Sequence, residues 1–450
     1  MGSSSSKKHR QPASGGNKGG PAVPVPMPVG PPYNGHPIQY QHMVINAEVD
    51  VQARFGFIQH DIQMQATNVE QYYPQLAAMY AQGYRMLVFV ALPGSVKTFG
   101  LASMGRSQVK AKFQGIFRAL FPEEMEQQWE LRVEKSTLIN QMFMNWSGNL
   151  FLRTDTQSGS TTDTSHIFQT LNNVTQAGGR LISVEVTGMA GQQVEMQRQM
   201  MSRQANMQYW RTGTMPMMQV AVDVFYDVPV KPSSERYMYQ VVSCPMQSSF
   251  TMQMPYGRWT SVMDWQSVMQ QYLGTGWKLV EIFEDFSTMA TSQMSGLTAN
   301  VTQTKNCLWI FEKPVSRLND NTPYYEGTMA EHWFTSSTEI HGLGFGGVEM
   351  HVNTNWEPVI EQYGQQGWQV VRILSTPDTQ IQGMFQPTMR TRQMIFFQRL
   401  KEGLIDVPGA PTPPAYQSAT NTSSDMLHPP PSYDQLSPAP DQGDLYHTKQ

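Results

Sequence analysis

Four glycines at nearly equal spacing constrain the fold of this chain more than any other feature of its sequence. They are Gly83, Gly179, Gly276 and Gly367, and successive members stand 96, 97 and 91 residues apart. An aromatic residue precedes each glycine by eleven positions, at Tyr72, Phe168, Trp265 and Trp356. Self-similarity at a fixed period is the signature of a repeated structural unit. The chain between about residues 43 and 402 therefore reads as four copies of one unit.

The residues on either side of each glycine predict a helix followed by a strand. Apolar side chains recur at helical spacing before the glycine, as at Leu76 and Met79. The glycine suits the left-handed position just past a helix end. β-Branched and aromatic residues then indicate strands at 84–90, 180–186, 277–283 and 368–374. With one strand-like run before each helix and another closing each unit, the sequence predicts an α+β fold of four repeated β-α-β-β units of about 90 residues.

Two low-complexity segments flank these units. Residues 1–42 are rich in proline and glycine and lack acidic residues, which predicts a disordered, basic N-terminal tether. Residues 403–450 are again rich in proline, which predicts a disordered tail. The four predicted units span 43–125, 126–230, 231–316 and 322–402. The second contains an insert at 189–218 dense in Met and Gln, for which a loop is favoured over a binding helix.

Composition excludes several classes of protein. The formal net charge is −4 and the pI is about 6.2, so no overall field attracts nucleic acid. Cys244 and Cys307 are the only cysteines, which excludes a disulfide framework and a cysteine-rich zinc site and fits a reducing, intracellular setting. The sequence lacks an apolar run long enough for a spanning helix, and its N-terminus lacks the apolar core of a secretory signal.

The N-terminus fits the acceptor pattern for N-myristoylation. Gly2 follows Met1, Ser6 occupies the hydroxyl position, and basic residues follow at Lys7, Lys8, Arg10 and Lys18. The alternatives are a merely flexible Ser-rich terminus or the remnant of an expression tag. A single myristoyl chain binds a bilayer only marginally, so the four basic residues are expected to add attraction to an anionic cytoplasmic leaflet.

The tail contains two copies of the Pro-Pro-x-Tyr pattern that WW domains bind. One copy comprises Pro413, Pro414 and Tyr416, and the other Pro430, Pro431 and Tyr433. Proline pre-organises the polyproline II helix, and two copies on one flexible segment favour binding to tandem WW domains. Chance occurrence in a proline-rich tail is the alternative. Tyr433 and Leu436 also fit a tyrosine-based signal for clathrin adaptors, but that pattern is short and common.

No arrangement of residues indicates catalysis, a cofactor or a metal site. The glycine-rich segment 342–347 lacks the lysine of a phosphate-binding loop and does not open a predicted helix. The histidines form no ligand-spaced pair. Glu284 and Asp285 are adjacent acids, most simply interpreted as a solvated strand end. The sequence therefore predicts a protein that is not an enzyme and has no cofactor.

The chain from about residue 43 to residue 400 resembles the raftlin family of acylated membrane proteins. The segments that carry the resemblance are YPQLAAMYAQGY at 73–84, CLWIFE at 307–312, EHW at 331–333, YGQQGW at 363–368 and QMIFFQR at 393–399. The resemblance implies a peripheral membrane protein without known catalysis that acts in raft organisation, receptor signalling or uptake. The family's acylated start maps onto Gly2. Ser3 stands where vertebrate members have a palmitoylated cysteine, so dual acylation is not expected at this position.

Three functional hypotheses follow. The first is a myristoylated raftlin-like scaffold on the cytoplasmic face of the plasma membrane or of endosomes, with a cytosolic pool, that organises membrane receptors or their trafficking. The second is an adaptor that recruits WW-containing ubiquitin ligases to membrane cargo through Tyr416 and Tyr433. The third, an enzyme or small-molecule binder built on the repeated units, requires a polar pocket that the sequence does not indicate.

Overall fold

A computed structural model describes the chain over residues 37–55, 60–93, 97–98, 107–125, 127–149, 153–188, 218–253, 256–295, 298–340, 348–382 and 388–401. These residues all belong to one compact unit. Within them the helices are α1 (Tyr73–Ala81), α2 (Ser165–Gln176), α3 (Trp265–Leu273) and α4 (Glu357–Gly364).

The strands form four successive groups, one around each helix. Group 1 contains β1 (Tyr40–Phe55), β2 (His60–Thr67), β3 (Tyr84–Leu92), β4 (Lys97–Thr98) and β5 (Ser107–Ala119). Group 2 contains β6 (Trp129–Asn149), β7 (Arg153–Asp163), β8 (Arg180–Gly188) and β9 (Met218–Pro229). Group 3 contains β10 (Tyr237–Ser243), β11 (Met246–Gln253), β12 (Tyr256–Val262), β13 (Lys278–Ser295) and β14 (Thr298–Pro314). Group 4 contains β15 (Tyr325–Ile340), β16 (Val348–Asn353), β17 (Gln369–Gln382) and β18 (Thr388–Leu400).

The predicted α+β fold of β-α-β-β units is wrong. The described chain is mostly β, built of antiparallel sheets, and a hairpin rather than a single strand precedes each helix. The strand missing from the prediction is the second of that hairpin: β2, β7, β12 or β16. β7 reads RTDTQSGSTTD, and such a sequence has no apolar alternation to reveal it. Its backbone hydrogen bonds to β6 and β13 make it a strand.

The predicted helices before the glycines are confirmed, with one glycine displaced by a residue. Gly83, Gly276 and Gly367 adopt φ values of +81°, +82° and +76°, the left-handed region in which a side chain is strained. In the second group this conformation belongs to Gly178, at φ +78°, and not to the predicted Gly179. Gly179 has a different role, because a Cβ there would lie 2.8 Å from a methyl carbon of Val174.

One strand order recurs around the helices. The sheet of group 1 runs β3-β5-β1-β2, and the same relative order appears as β8-β9-β6-β7 and as β17-β18-β15-β16. In group 3 the first strand is divided into β10 and β11, which both pair with β14. Whether the predicted units 43–125, 126–230, 231–316 and 322–402 are separable domains stays a prediction.

The four groups follow one another in a closed cycle. β7 of group 2 pairs with β13 of group 3, and β16 of group 4 pairs with β4 of group 1. The four hydrophobic clusters each combine two neighbouring groups: 1 with 2, 2 with 3, 3 with 4, and 4 with 1. The core is thus divided into four interfaces, and each group depends on two neighbours to bury its apolar side chains.

Candidate functional site

One group of buried charges in the described chain lies where the strands that follow the helices converge. Each of these strands has an irregular register at the fourth residue after its left-handed glycine. The residues that come next are Val88 in β3, Ser183 in β8, Glu281 in β13 and Arg372 in β17. A β-bulge redirects the side chains beyond it, so these equivalent positions are turned toward one centre. Together with Glu185, the last three form what we call the central cluster.

Hydrogen bonds join the central cluster across three groups. One carboxylate oxygen of Glu281 accepts from the Ser183 hydroxyl and from the backbone N–H of Val184, both at 2.7 Å. Its other oxygen accepts from its neighbour's backbone N–H, on Ile282, at 2.8 Å. Arg372 Nη2 donates to Glu185 at 2.9 Å, and its Nη1 lies 3.4 Å from Glu281. A guanidinium shared by two carboxylates therefore ties β8, β13 and β17 together.

Burial governs the protonation of this cluster. Glu185, Glu281 and Arg372 are 6%, 0% and 7% exposed. Loss of hydration raises the pKa of Glu185 to about 7, although Arg372 opposes the rise, and burial likewise raises the pKa of Glu281. Because the groups are sealed from solvent, the cluster offers no surface to a substrate. Its chemistry is charge pairing between groups and the uptake of a proton on Glu185.

Hydrogen bonds to buried carboxylates also join neighbouring groups outside the central cluster. Asp227 of β9 accepts hydrogen bonds from Arg85 of β3 and from Tyr80 of α1, joining groups 1 and 2. Glu312 of β14 accepts from Arg180 of β8, joining groups 2 and 3. Arg85 and Arg180 each follow their left-handed glycine by two residues. In groups 1 and 2, therefore, an arginine just after the end of the helix binds a carboxylate of the next group.

A cleft of about 270 Å³ opens among β12, β15, β17 and β18. Two indoles line it, those of Trp259 and Trp333. Its most enclosed cation, Arg392, is neutralised by Asp378 at 2.6 Å and by Glu331 at 2.7 Å. The lining thus combines apolar rings with balanced charges, so it creates no strong field for an anionic or a cationic ligand.

Every residue predicted to bind a lipid or a partner lies outside the described residues. These are Gly2, Lys7, Lys8, Arg10 and Lys18 in the tether, and Pro413, Pro414, Tyr416, Pro430, Pro431, Tyr433 and Leu436 in the tail. The glycine-rich segment 342–347 and residues 189–217 of the insert also lie outside them, whereas Met218 begins β9. The assignments at these positions stay predictions.

Two features are absent from the described part of the chain. No group of three or more His, Cys, Asp or Glu side chains there is arranged to hold a metal ion. No helix in that part is long and apolar enough to cross a membrane.

Sequence reasoning missed the central cluster and misplaced one acidic residue. Asp285 was expected at a solvated strand end, yet it is 5% exposed and accepts a hydrogen bond from Asn306 at 2.7 Å. The available signal was a charge inside an otherwise apolar strand, as in KLVEIF for Glu281 and QVVRIL for Arg372. Such a charge is expensive to bury alone and implies a partner. The sequence cannot identify that partner, because it lies in another group.

No family model, no curated protein and no solved structure matches this chain.

Proposed function

We propose that this chain is a myristoylated, raftlin-like peripheral membrane scaffold. It acts at the cytoplasmic face of the plasma membrane or of endosomes, with a cytosolic pool, and is not an enzyme. The observation that carries the proposal is the start of the sequence, where Gly2, Ser6 and a basic flank complete a myristoylation pattern. The raftlin-like segments between 73 and 399 support the same assignment.

Recruitment by this N-terminus is reversible. A lone myristoyl chain provides only marginal membrane affinity. Lys7, Lys8, Arg10 and Lys18 each add about 1 kcal/mol near an anionic leaflet, and salt weakens this attraction. The scaffold is therefore expected to leave the membrane when the surface charge of the leaflet falls.

The architecture of the core supports a scaffold role. The four groups bury their apolar surfaces against one another, and the central cluster uses its charges to tie three of the groups together. Because each group packs against two neighbours, the four groups are held in a fixed arrangement. Holding partners at defined positions requires such rigidity.

Intact mass and membrane fractionation test the anchor. The wild-type chain expressed in eukaryotic cells is expected to carry the mass of one myristoyl group and to sediment with membranes. Gly2→Ala should lose both properties, whereas the matched control Gly15→Ala should keep both. An unmodified wild-type chain that stays in the soluble fraction would refute the proposal.

The basic flank has a separate test. Replacing Lys7, Lys8, Arg10 and Lys18 together by Gln should leave the myristoyl mass in place but reduce binding to vesicles containing phosphatidylserine. The wild-type chain should lose binding as salt is raised, and the variant should show a weaker salt dependence. Equal salt dependence in both chains would remove the basic residues from the mechanism.

A second candidate function is a WW-domain adaptor, favoured by the two Pro-Pro-x-Tyr copies in the tail. In this function Tyr416 and Tyr433 recruit WW-containing ubiquitin ligases to membrane cargo. Changing both tyrosines to Ala should abolish capture by a tandem WW protein and leave membrane association intact. Tyr446→Ala is the matched control, because Tyr446 lies in the same tail without the two prolines. Unchanged capture by the double variant would eliminate this function.

A further inference from the structure

The cleft between β12 and the sheet of group 4 has a floor of fixed charges. Arg392 of β18 donates to Glu331 of β15 and to the backbone carbonyl of Ser261 in β12, both at 2.7 Å, and lies 2.6 Å from Asp378 of β17. The Ser261 hydroxyl in turn donates to Asp378 at 2.5 Å. Because these contacts join all four strands, the floor holds the walls of the cleft in place before a ligand arrives.

Two partly buried indoles line this cleft, and we call the space bounded by Trp259, Trp333 and Arg392 the indole cleft. Trp259 leans against Phe250, with ring centroids 5.3 Å apart. The guanidinium of Arg390 lies over Trp333, 5.7 Å from its ring centroid, and does not itself line the cleft. Each indole is therefore supported by a neighbour and presents apolar surface to a ligand with little further loss of side-chain entropy.

Three polar side chains of the lining keep unused hydrogen-bonding capacity. The Arg258 guanidinium and the Gln380 amide have no hydrogen-bond or ion-pair partner among the described residues. Glu331 accepts from Arg392 through one carboxylate oxygen, and no described residue bonds to its other oxygen. A guanidinium only donates hydrogen bonds, a carboxylate only accepts them, and an amide does both. The indole cleft thus offers donors and acceptors together.

This combination argues against several kinds of ligand. A carboxylate or phosphate group only accepts hydrogen bonds and an ammonium group only donates them, so either would leave part of the lining unpaired. A purely apolar ligand would bury the same polar groups without partners. The volume of about 270 Å³ lies below the roughly 300–1,000 Å³ of pockets for drug-sized molecules. The cleft is therefore suited to one small, neutral ring rather than to a peptide or a nucleic-acid strand.

We propose that the indole cleft is a carbohydrate-binding site that takes one neutral sugar ring. Each sugar hydroxyl both donates and accepts hydrogen bonds, which matches a lining that contains Arg258, Glu331 and Gln380. The C–H groups on one face of a sugar ring carry partial positive charge, which is attracted to the negative face of an indole. A sugar therefore pairs the polar groups and covers the rings of Trp259 and Trp333 at the same time.

This inference goes beyond the proposed function and does not depend on it. A small-molecule binder requires a polar pocket, and the indole cleft is such a pocket. The cleft lies between β12 of group 3 and three strands of group 4, so a bound sugar contacts both groups. A ligand that binds only the folded chain stabilises it by mass action. The bound sugar is therefore expected to raise the urea midpoint of the full chain.

Saturation-transfer difference NMR on the full chain tests the site with named sugars. The neutral probes are glucose, galactose, mannose and N-acetylglucosamine, and the charged counterparts are glucosamine and glucuronic acid. We expect transfer to the ring protons of at least one neutral sugar and weaker transfer to the charged counterparts. A free sugar and the terminal residue of a glycan share this chemistry. Binding of the chain to immobilised glycans ending in the same sugar would assign a glycan end, and binding of the monosaccharide alone would assign a free sugar.

Substitutions in the lining locate the binding site. Trp333→Ala should weaken binding of that sugar about tenfold or more, equivalent to about 1.4 kcal/mol. The matched control is Trp129→Ala, because Trp129 is a partly buried tryptophan of β6 outside the lining, and this change should leave sugar binding unaltered.

A second pair of variants covers the case in which Trp333→Ala fails to fold. Arg258 is exposed, so Arg258→Ala should keep the fold and weaken binding about threefold to tenfold through the loss of one hydrogen bond. Arg132→Ala is its matched control, because Arg132 is exposed in β6 and lies outside the lining.

Three results would overturn the inference. They are the absence of binding to all four neutral sugars and to the glycans, binding of the charged counterparts alone, and equal affinities for Arg258→Ala and Arg132→Ala. Failure of the proposed function is distinguishable from failure of the site, because Gly2→Ala removes the acyl acceptor and leaves the cleft intact. Sugar binding should therefore be the same in the wild-type chain and in Gly2→Ala.

Discussion

Arg372→Met is the substitution that most directly tests how the core is held together. The guanidinium donates to Glu185 at 2.9 Å and lies 3.4 Å from Glu281, and all three side chains are buried. Methionine fills similar space but leaves two carboxylates without a cation. Breaking a buried pair in this way costs about 3–5 kcal/mol of unfolding free energy. We expect a loss of that size at pH 8.5.

The unfolding free energy lost in Arg372→Met should be smaller at acidic pH, because the carboxyl groups of the cluster can then take up a proton. The folded-state pKa of Glu185 is raised to about 7, above the roughly 4.3 of an unfolded glutamate. The folded state therefore binds the extra proton, and its stability falls as pH rises between these two values. Without Arg372 the pKa rises further, which extends that fall above pH 7. At pH 5.5 Glu185 accepts a proton instead, so the cost of the substitution is smaller.

Urea unfolding followed by tryptophan fluorescence at pH 5.5 and pH 8.5 measures both effects. The control is Arg132→Met, because Arg132 and its partner Glu130 are more than half exposed at the side chain, and such pairs contribute about 0–1 kcal/mol. A cost below about 1 kcal/mol at pH 8.5, or an equal cost at the two pH values, would refute the assignment of a stabilising buried charge cluster.

Three further predictions concern the core. Cys244 and Cys307 are buried, and burial raises the pKa of Cys244 to about 11. Both thiols should therefore react with iodoacetamide at pH 8 only after denaturation. Rapid labelling of the native chain would contradict this. Gly83→Ala should lower the free energy of unfolding by about 1 kcal/mol through its positive φ alone, because no atom lies within 4 Å of a Cβ there. Gly276→Ala should lower it more, because its Cβ would lie 2.7 Å from the Thr322 carbonyl oxygen. Equal urea midpoints for the two variants would refute this distinction. Tyr40→Phe should lower the free energy of unfolding by about 1–3 kcal/mol, measured in the same way. The Tyr40 hydroxyl donates to the backbone carbonyl of Trp368 at 2.6 Å and accepts from the backbone N–H of Val370 at 3.0 Å, both in group 4. A neutral effect would show that these bonds do not stabilise the junction of groups 1 and 4.

The hairpins illustrate why the fold class could not be predicted from sequence. β3 and β17 are rich in apolar and β-branched residues, and both were therefore predicted. β7 carries polar residues at most positions, and what makes it a strand is hydrogen bonding to β6 and to β13, which lies far along the chain. A pattern search has no access to that pairing, so it counted one strand where the chain forms two.

The sequence by itself was enough to predict the features that depend on neighbouring residues. The glycine spacing located the four helices and the strands after them, because helix periodicity and the steric cost at a left-handed residue act within a few neighbouring positions. The N-terminal and tail motifs are likewise short patterns, and their use stays a prediction. Only the tertiary structure decided which groups are neighbours and where Glu185, Glu281 and Arg372 meet. These features join residues about 90 to 190 positions apart, as in the pairs Arg372 with Glu281 and Arg372 with Glu185. Contacts of that range are set by how sheets pack around a shared centre, which no local pattern encodes.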